Sequence, residues 1–465
     1  MSAEPKNYKD TITLPQTQFP MRADLVENEP KRLAAWEARD LYRTILNRRI
    51  EQKAPTFILH DGPPFANGDV HMGTALNKVL KDLVVKSKTM AGFAVPFVPG
   101  WDCHGLPIEF KVVKQAAGLE AGEIRRRCTE FALKFIDIQR ASFRRLGVFG
   151  DWENPYLTMA PAYEADILRV FAKMVEDGRI YQSRKPVQWS YGAHTALAEA
   201  EVEYMDKESP AIFVKFPVER GLQSASNSLT LPDGTSMVIW TTTPWTLPAN
   251  LGIAVHPEFS YVVGRYEKEG VSETLIIVRE LMETFQQKTG FELQEEIGVH
   301  KGRELEGLLA QHPFINRTSR VILANFVTTE TGTGAVHIAP GHGADDYVAG
   351  MQNNLGLLSP VDDNGHFTEE AEMPELLGKH VFACNEPIIE MLAATGSLLG
   401  REVYRHSYPH CWRSKTPIIF RAVEQFFISI DDIRGRALQA IDEVQWLPAW
   451  GRNRIYGTVE ARPDW

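Results

Sequence analysis

A histidine, a glycine and a threonine stand where a turn-rich stretch meets a long helical pattern. The stretch is DGPPFANGD, residues 61–69, and His71, Gly73 and Thr74 follow it. A helix N-terminus offers unpaired N–H groups and partial positive charge, so anions bind there. A histidine adds a directed donor, and a glycine allows close approach to the backbone. The three residues favour nucleotide phosphates, although a histidine at a helix start is more often a capping or surface residue.

The surrounding pattern predicts a strand, a turn, a helix and a second strand. TFILH (residues 56–60) is an apolar run of strand type, and AVPFVPGWD (residues 94–102) is another. Between them, apolar residues recur at helical spacing up to Gly92: Ala75, Leu76, Val79, Leu80, Leu83 and Val84. The other face carries Lys78, Lys81, Asp82 and Lys86. We expect one unit of a parallel α/β sheet, in which ligands bind at the strand ends.

Composition excludes several classes of protein. The 465 residues are too many for one core. The sequence has no run of eighteen apolar residues, and MSAEPKNYKD lacks a signal-peptide layout, so we expect a cytoplasmic protein without a membrane partner. The four cysteines are Cys103, Cys128, Cys384 and Cys411, and they form no C-x-x-C pair. Their spacing argues against a disulfide framework and against a thiolate zinc site.

Net charge does not point to a nucleic acid partner, because the formal charge is −10. A local basic face remains open, since residues 124–147 carry seven lysines and arginines on a helical pattern. An ordinary solvated helix face is the favoured interpretation of that segment.

Longer strings resemble the class I aminoacyl-tRNA synthetases. HDGPPFANGDVHMG, LNKVLKD and GWDCHGLPIE resemble the first half of that family's active site, and the last string is most similar to its isoleucine-specific members. The likeness recurs in KPVQW, EAEVEY, IWTTTPWTLPAN, GTGAVHIAPGHGADDY, HSYPHCWRSKTPIIFRA and RPDW. Valine-specific members differ at the aspartate turn, and leucine-specific members lack the Cys-His pair, but both remain alternatives.

The resemblance implies a fold and a division of the chain. The fold class is α/β, a Rossmann-like parallel-sheet catalytic domain interrupted by a mainly β editing-domain insertion. Val/Ile/Thr-rich runs separated by turn residues between 201 and 405 agree with a β insertion. We expect an N-terminal extension over 1–50, the first half of the catalytic domain over 51–200, the insertion over 201–405, and a return to the catalytic domain over 406–465.

The resemblance also implies site residues for amino acid activation. The residues expected at ATP are Asn67, His71, Gly73 and Thr74, of which the last three are also expected to be catalytic. The residues expected at the amino acid are Gly62, Pro63, Trp101 and Asp102. Asp102 would hold the substrate ammonium, with a turn cap as its alternative. Thr74 departs from the family signature His-x-Gly-His, and its hydroxyl can donate to phosphate but carries no titratable charge.

The implied reaction joins isoleucine to its tRNA through an adenylate. ATP with Mg²⁺ on the pyrophosphate is a substrate, and no tightly bound cofactor is expected. The family's second signature, a Lys-Met-Ser-Lys-Ser loop, would lie beyond Trp465, so we expect an incomplete synthetic site. The expected partners are isoleucine, ATP and isoleucine tRNA.

A hydrolytic second site is expected because a pocket that accepts isoleucine cannot exclude valine well. The one methylene that valine lacks is worth only about 1–3 kcal/mol in binding, a limit for which this enzyme family is a standard example. The resemblance places it on these residues: Thr241, Thr242, Thr243, Asn250, His337 and Asp346. The threonines would form one wall and His337 the opposite one. Asp346 would bind the ammonium of the misattached amino acid, and water would be the nucleophile.

Two other functions remain open at this point. His337, His342, Asp345 and Asp346 are residue types found in metal-dependent hydrolases, although their spacing matches no defined motif. A free-standing editing or tRNA-binding protein is the third possibility. A zinc ion near His406, His410 and Cys411 would be structural, but we predict no metal.

Overall fold

The computed structural model describes residues 8–13, 18, 22–114, 118–219, 229–462 and 464, and the chain divides into two compact units, residues 1–172 and 173–465. The architecture is mixed α/β, with parallel and antiparallel sheets. Among the described helices, none combines the length and apolar content needed to span a bilayer.

The first unit is mainly helical. Its helices are α1 (Leu25–Ala38), α2 (Leu41–Glu51), α3 (Met72–Met90), α4 (Leu106–Val113), α5 (Ala121–Arg145) and α6 (Pro161–Glu176), whose last residues belong to the second unit. Two short strands, β1 (Gly100–Trp101) and β2 (Tyr156–Leu157), pair in parallel. Single parallel bridges join Thr56 to Ala94 and Phe65 to Asp102. The predicted helix from Met72 is confirmed, and Gly92 follows its end with a φ of 101°.

The strand predicted over residues 56–60 does not form. Only Thr56 pairs, through hydrogen bonds from Phe57 N–H to Ala94 O and from Ala94 N–H to Pro55 O, both 2.9 Å. The next donor that a parallel ladder needs is residue 96, which is a proline and has no N–H. The ladder therefore stops after one bridge.

Helix α3 buries its charged face and exposes its apolar face. Lys78 is 1% exposed and Asp82 is 8% exposed, whereas Leu80 and Leu83 are more than half exposed. The buried charges have partners, as burial requires. Lys78 contacts Asp61, and Asp82 accepts the N–H of Phe149 at 2.9 Å. The orientation usual for an amphipathic helix is therefore reversed here.

The basic residues of segment 124–147 all lie on α5, which ends at Arg145, and several of them form ion pairs at the surface. Arg126 pairs with Glu123 and Glu130, and Arg144 pairs with Glu37 and Glu153. The neighbouring acids neutralise these arginines, so the segment agrees with a solvated helix face.

The second unit contains three sheets. The six-stranded sheet has the order β10 (Glu292–Lys301), β8 (Ser260–Lys268), β9 (Val271–Val278), β6 (Thr235–Thr241), β5 (Val202–Pro217), β14 (Leu398–Cys411). The four-stranded sheet has the order β11 (Leu309–Gln311), β12 (Thr318–Leu323), β7 (Gly252–Val255), β13 (Ala335–Ile338). The three-stranded sheet has the order β15 (Ile419–Ile428), β3 (Ile180–Ser190), β4 (Thr195–Ala196). The helices of the second unit are α7 (Met282–Thr289), α8 (Gly302–Leu305), α9 (Ala344–Gln352), α10 (Asn385–Ala394), α11 (Asp431–Glu443) and α12 (Gly451–Ala461).

The core of this unit lies on the strands that the sequence predicts. Alternate residues of β5 and β6, among them Ile212, Val214, Met237 and Ile239, are fully buried in one apolar cluster. Strands β5 and β14 form a long antiparallel ribbon, paired from Phe213 opposite Gly400 to Val202 opposite Cys411.

The burial of the charged face of α3 can be tested by substituting two adjacent residues, one on each face. We expect Asp82→Ala to lower the free energy of unfolding by about 2–3 kcal/mol, because the Phe149 N–H loses its acceptor and the Lys86 ammonium keeps only the carbonyl of Gly147. Leu83→Ala should cost less than about 1 kcal/mol, because that side chain is 59% exposed. Urea denaturation measures both, and the opposite ranking would show that the apolar face is the buried one.

Candidate functional site

His71 caps the helix that follows it. Its Nδ1 accepts hydrogen bonds from the N–H groups of Gly73 (3.1 Å) and Thr74 (3.3 Å), and its Nε2 lies 3.0 Å from the Thr74 hydroxyl. Because Nδ1 accepts, the neutral ring carries its proton on Nε2 and donates it to Thr74. A Cβ at position 73 would lie 3.1 Å from this ring, so glycine makes room for the cap. In this structure the three residues satisfy one another.

The turn before α3 is fixed from two sides. Asp61, buried, contacts the ammonium groups of Lys78 and Lys81 on α3. Asn67 donates to the carbonyl of Pro107 at 3.3 Å. Sequence analysis assigned no role to Asp61 or Lys78, because nothing in their spacing of 17 residues indicates contact.

Of the residues predicted to bind the amino acid, Trp101 and Asp102 lie at the end of β1, and Gly62 and Pro63 lie in the turn before α3. Asp102 is half-buried, and its Oδ1 accepts the N–H of His104 at 3.3 Å, which is the geometry of a turn cap. Trp101 is fully buried and lies in the core of the unit. Pro63 is half-buried and Gly62 is exposed, with open space where its Cβ would be.

Gln139 on α5 is a positioning residue that the sequence did not indicate. Its Oε1 accepts the indole N–H of Trp101 at 2.9 Å. Its Nε2 donates to the carbonyls of Phe65 (3.0 Å) and Gly68 (2.8 Å). One buried amide therefore joins the β1 end to the turn before α3. A single glutamine within a long helix carries no sequence signal for such a role.

The predicted hydrolytic residues surround a cavity of about 350 Å³ in the second unit. The cavity is lined by Thr241, Thr242, Thr243, His337 and Asp346, together with Trp240, Thr246, Phe326, Thr328 and Thr331, which the sequence analysis did not assign. The end of β6, the end of β13 and the start of α9 bring them together. The Thr-rich stretch VTTETGTGA, which continues into the string used for the resemblance, is the signal that could have indicated Thr328 and Thr331.

A hydrogen-bonded chain runs from the buried Asn250 into one wall of this cavity. Asn250 is fully buried, and its Nδ2 lies 3.4 Å from Nδ1 of His337. The Nε2 of His337 is 3.0 Å from the hydroxyl of Thr246, which donates to the carbonyl of Thr243 at 2.8 Å. Asn250 can only donate from Nδ2, so Nδ1 of His337 accepts and Nε2 carries the proton. Asn250 acts on the cavity through His337.

Burial sets the charge of the two ionisable groups on this wall. Burial lowers the pKa of His337 to about 4, so the ring is neutral at pH 7. Burial also raises the pKa of Asp346 to about 6, against the hydrogen bond from the N–H of Ala339 at 2.8 Å. At neutral pH the cavity therefore contains an ionised carboxylate, whose burial lowers the stability of the fold, beside a neutral imidazole.

Of the residues considered for a metal, His337, His342 and Asp346 line the same cavity but do not form a metal-binding cluster. His337 is bonded to Asn250 and Thr246, Asp346 accepts from Ala339, and Asp345 is exposed. Across the described ranges, His, Cys, Asp and Glu side chains form no cluster of three or more that could hold a metal ion.

The segment considered for structural zinc is also occupied by protein contacts. His406 lies 3.0 Å from the Ser209 hydroxyl, and Nδ1 of His410 lies 2.8 Å from the carbonyl of Tyr408. The sulfur of Cys411 accepts the N–H of Ser414.

Residues 31–465 match the family described as tRNA synthetases class I (I, L, M and V). The chain belongs to this family. Curated relatives named isoleucine–tRNA ligase include those of Thermotoga neapolitana, 52% identical over 467 residues, and Fervidobacterium pennivorans and Alcanivorax borkumensis, each 50% identical over 465 residues. Each match covers 99% of this chain and 49% of the relative, so the chain spans about half the length of these proteins.

The raised pKa of Asp346 makes a stability prediction. The folded state binds the proton more tightly than the unfolded chain, so ionisation destabilises the fold as pH rises from about 4 to above 6. Asp346→Asn keeps an acceptor for Ala339 and removes the charge. We expect it to raise the free energy of unfolding by about 1–3 kcal/mol at pH 7.5 and by roughly half as much at pH 5.

Urea denaturation at the two pH values measures this effect. Asp345→Asn is the matched control, because Asp345 is the exposed neighbour on the same helix, and it should change stability by less than about 0.5 kcal/mol. If Asp346→Asn were less stable than the unsubstituted chain at pH 7.5, ionisation of Asp346 would not be destabilising the fold.

Proposed function

We propose that the chain carries two sites of an isoleucine-specific class I synthetase: the first half of the activation site and the hydrolytic editing site. The observation that carries this proposal is the identity of about 50% with isoleucine–tRNA ligases over 99% of the chain, since both sites fall within it. On this proposal the partners are isoleucine, ATP with Mg²⁺ as substrate, and isoleucine tRNA.

The proposed organisation follows from the same identity. Residues 51–200 and 406–465 belong to a Rossmann-like catalytic domain, residues 1–50 precede it, and residues 201–405 form the inserted editing domain. The paired strands β5 and β14 support an insertion, because they bring the start and the end of this segment side by side. Strand β14 continues without a break past the proposed boundary at Arg405.

The activation site is proposed at the N-terminus of α3 and the end of β1. The dipole of a 19-residue helix and the Nε2–H of His71 favour phosphate, with Asn67, Gly73 and Thr74 alongside. Asp102 holds the ammonium of isoleucine, and Gly62 and Pro63 border the amino acid. Trp101 is buried in the core and acts through Gln139, which also binds the turn before α3. Mg²⁺ supplies charge neutralisation on the pyrophosphate.

The editing site is proposed at the cavity of about 350 Å³. Asp346 binds the ammonium of a valine esterified to tRNA, and Thr241, Thr242 and Thr243 limit the size of its side chain. His337, held by Asn250 and Thr246, forms the opposite wall. Water attacks the ester carbonyl, and no metal takes part.

The role of His71 in phosphate binding can be separated from its role as a cap. His71→Asn retains a good N-cap and should change stability by less than about 0.5 kcal/mol, whereas His71→Ala should lose about 1 kcal/mol. Both variants remove the imidazole, so both should weaken ATP binding by about tenfold, the value of one hydrogen bond to a charged group. Calorimetric titration with MgATP measures this. Undiminished affinity in both variants would leave His71 as a cap only.

The ammonium contact of Asp346 gives a test of editing. With valine esterified to isoleucine tRNA as substrate, Asp346→Ala should slow hydrolysis roughly 30-fold to 1000-fold, since the ammonium loses a buried charged partner. For the unsubstituted chain, kcat/KM should fall as pH drops through about 6, because the carboxylate becomes protonated.

Two controls accompany this measurement. A chelator should leave the rate unchanged, and Asp345→Ala should retain it. Loss of activity on chelation, with full activity in Asp346→Ala, would overturn the ammonium contact in favour of a metal centre.

A further inference from the structure

His342 has one nitrogen committed and one free. It lies between β13 and α9, and its Nδ1 is 2.7 Å from the carbonyl of Phe420. A carbonyl only accepts hydrogen bonds, so Nδ1 carries the proton and Nε2 presents a lone pair. Nε2 is buried and has no hydrogen-bond partner among the described residues. A buried polar atom without a partner needs an explanation, and a bound water or ligand is the usual one.

The free nitrogen belongs to a residue of the hydrolytic cavity. His342 lines that cavity together with His337 and Asp346. The indole of Trp245 packs edge-on against its ring, with centroids 5.1 Å apart, so the ring orientation is held from a second side. Burial lowers the pKa of His342 to about 4, so the lone pair is available at neutral pH.

His337 does not offer such a lone pair. Its Nδ1 faces Asn250 and its Nε2 faces Thr246, so both ring nitrogens are engaged. Of the two histidines on the cavity wall, within the part of the chain that the structure describes, His342 is therefore the one with a free acceptor.

We propose that His342 is a catalytic residue of the hydrolytic site, whose Nε2 accepts a hydrogen bond from the attacking water and takes its proton. The proposal rests on the editing function proposed above. The water oxygen forms a bond to the ester carbonyl carbon as its proton passes to Nε2. The bond from that carbon to the ribose oxygen then breaks, and the ribose oxygen takes the proton from Nε2. The products are free valine and tRNA, and the imidazole returns to its starting form.

The test compares two amides at position 342. His342→Asn can keep a donor toward the Phe420 carbonyl but places nothing where Nε2 was. His342→Gln places an amide oxygen near the Nε2 position and can still orient a water. With the 465-residue chain and valine esterified to isoleucine tRNA, we expect His342→Asn to lower kcat by about 100-fold with KM changed less than threefold. His342→Gln should retain more activity than His342→Asn.

A buried histidine away from the cavity provides the control. His312 uses both nitrogens within the protein, with Nε2 at the Leu247 carbonyl and Nδ1 accepting from Ile315. His312→Asn should therefore lower stability and leave kcat within threefold of the unsubstituted chain. An equal loss of kcat in His312→Asn and His342→Asn would assign the effect to folding and overturn the proposal.

The remaining outcomes are also distinct. Equal kcat in the unsubstituted chain and His342→Asn would overturn the role of His342 while leaving the editing function in place. No hydrolysis by the unsubstituted chain would overturn the editing function and this role with it. Nitrogen-15 NMR of the histidine rings tests the premise without activity: an unprotonated Nε2 in His342 is expected, and a protonated one would refute it.

Discussion

Asp61 is buried against the ammonium groups of Lys78 and Lys81, and this contact fixes the turn before α3 to the helix that follows. A buried carboxylate without such partners would be strongly destabilising. The same requirement shapes the second unit, where Asn250, His337 and Thr246 satisfy one another in sequence. Both candidate sites thus lie next to buried polar groups that must be paired. The pairing fixes backbone and ring orientations before any substrate arrives, which is what a preorganised site requires.

The two sites differ in whether the groups that could bind a ligand are already hydrogen-bonded within the protein. At the start of α3, His71 and Thr74 are bonded to each other on an exposed surface, so a phosphate would have to compete for the same hydrogen bonds. At the cavity of the second unit, His337 is bonded to Thr246 within the cavity wall, and His342 is bonded to the carbonyl of Phe420. Among the described residues, Nε2 of His342 has no hydrogen-bond partner. At that nitrogen a ligand would displace no hydrogen bond within the protein.

Sequence patterns predicted local elements well and long-range contacts poorly. The spacing of apolar residues from Ala75 to Val84 predicted α3, because helical periodicity is a property of neighbouring residues. It did not predict which face is buried, since the partners of Lys78 and Asp82 come from Asp61 and Phe149, far away in the chain. Pro96 stopped a strand whose own sequence, TFILH, is of strand type. Thr241 and Asp346 were assigned to one site through family resemblance. Spacing alone could not have joined residues so far apart.

The ribbon of β5 and β14 has a consequence for how this protein could be recombined. Val202 and Cys411 are directly opposite one another, as are Glu203 and His410. A two-residue turn suffices to join antiparallel strands at such a pair. The 200 or so residues beyond it could therefore be excised and the ends closed by a short hairpin, or the segment transplanted into another chain that offers two adjacent antiparallel ends. A segment that enters and leaves through one antiparallel pair of strands can be gained or lost in a single genetic event, without disturbing the strands on either side.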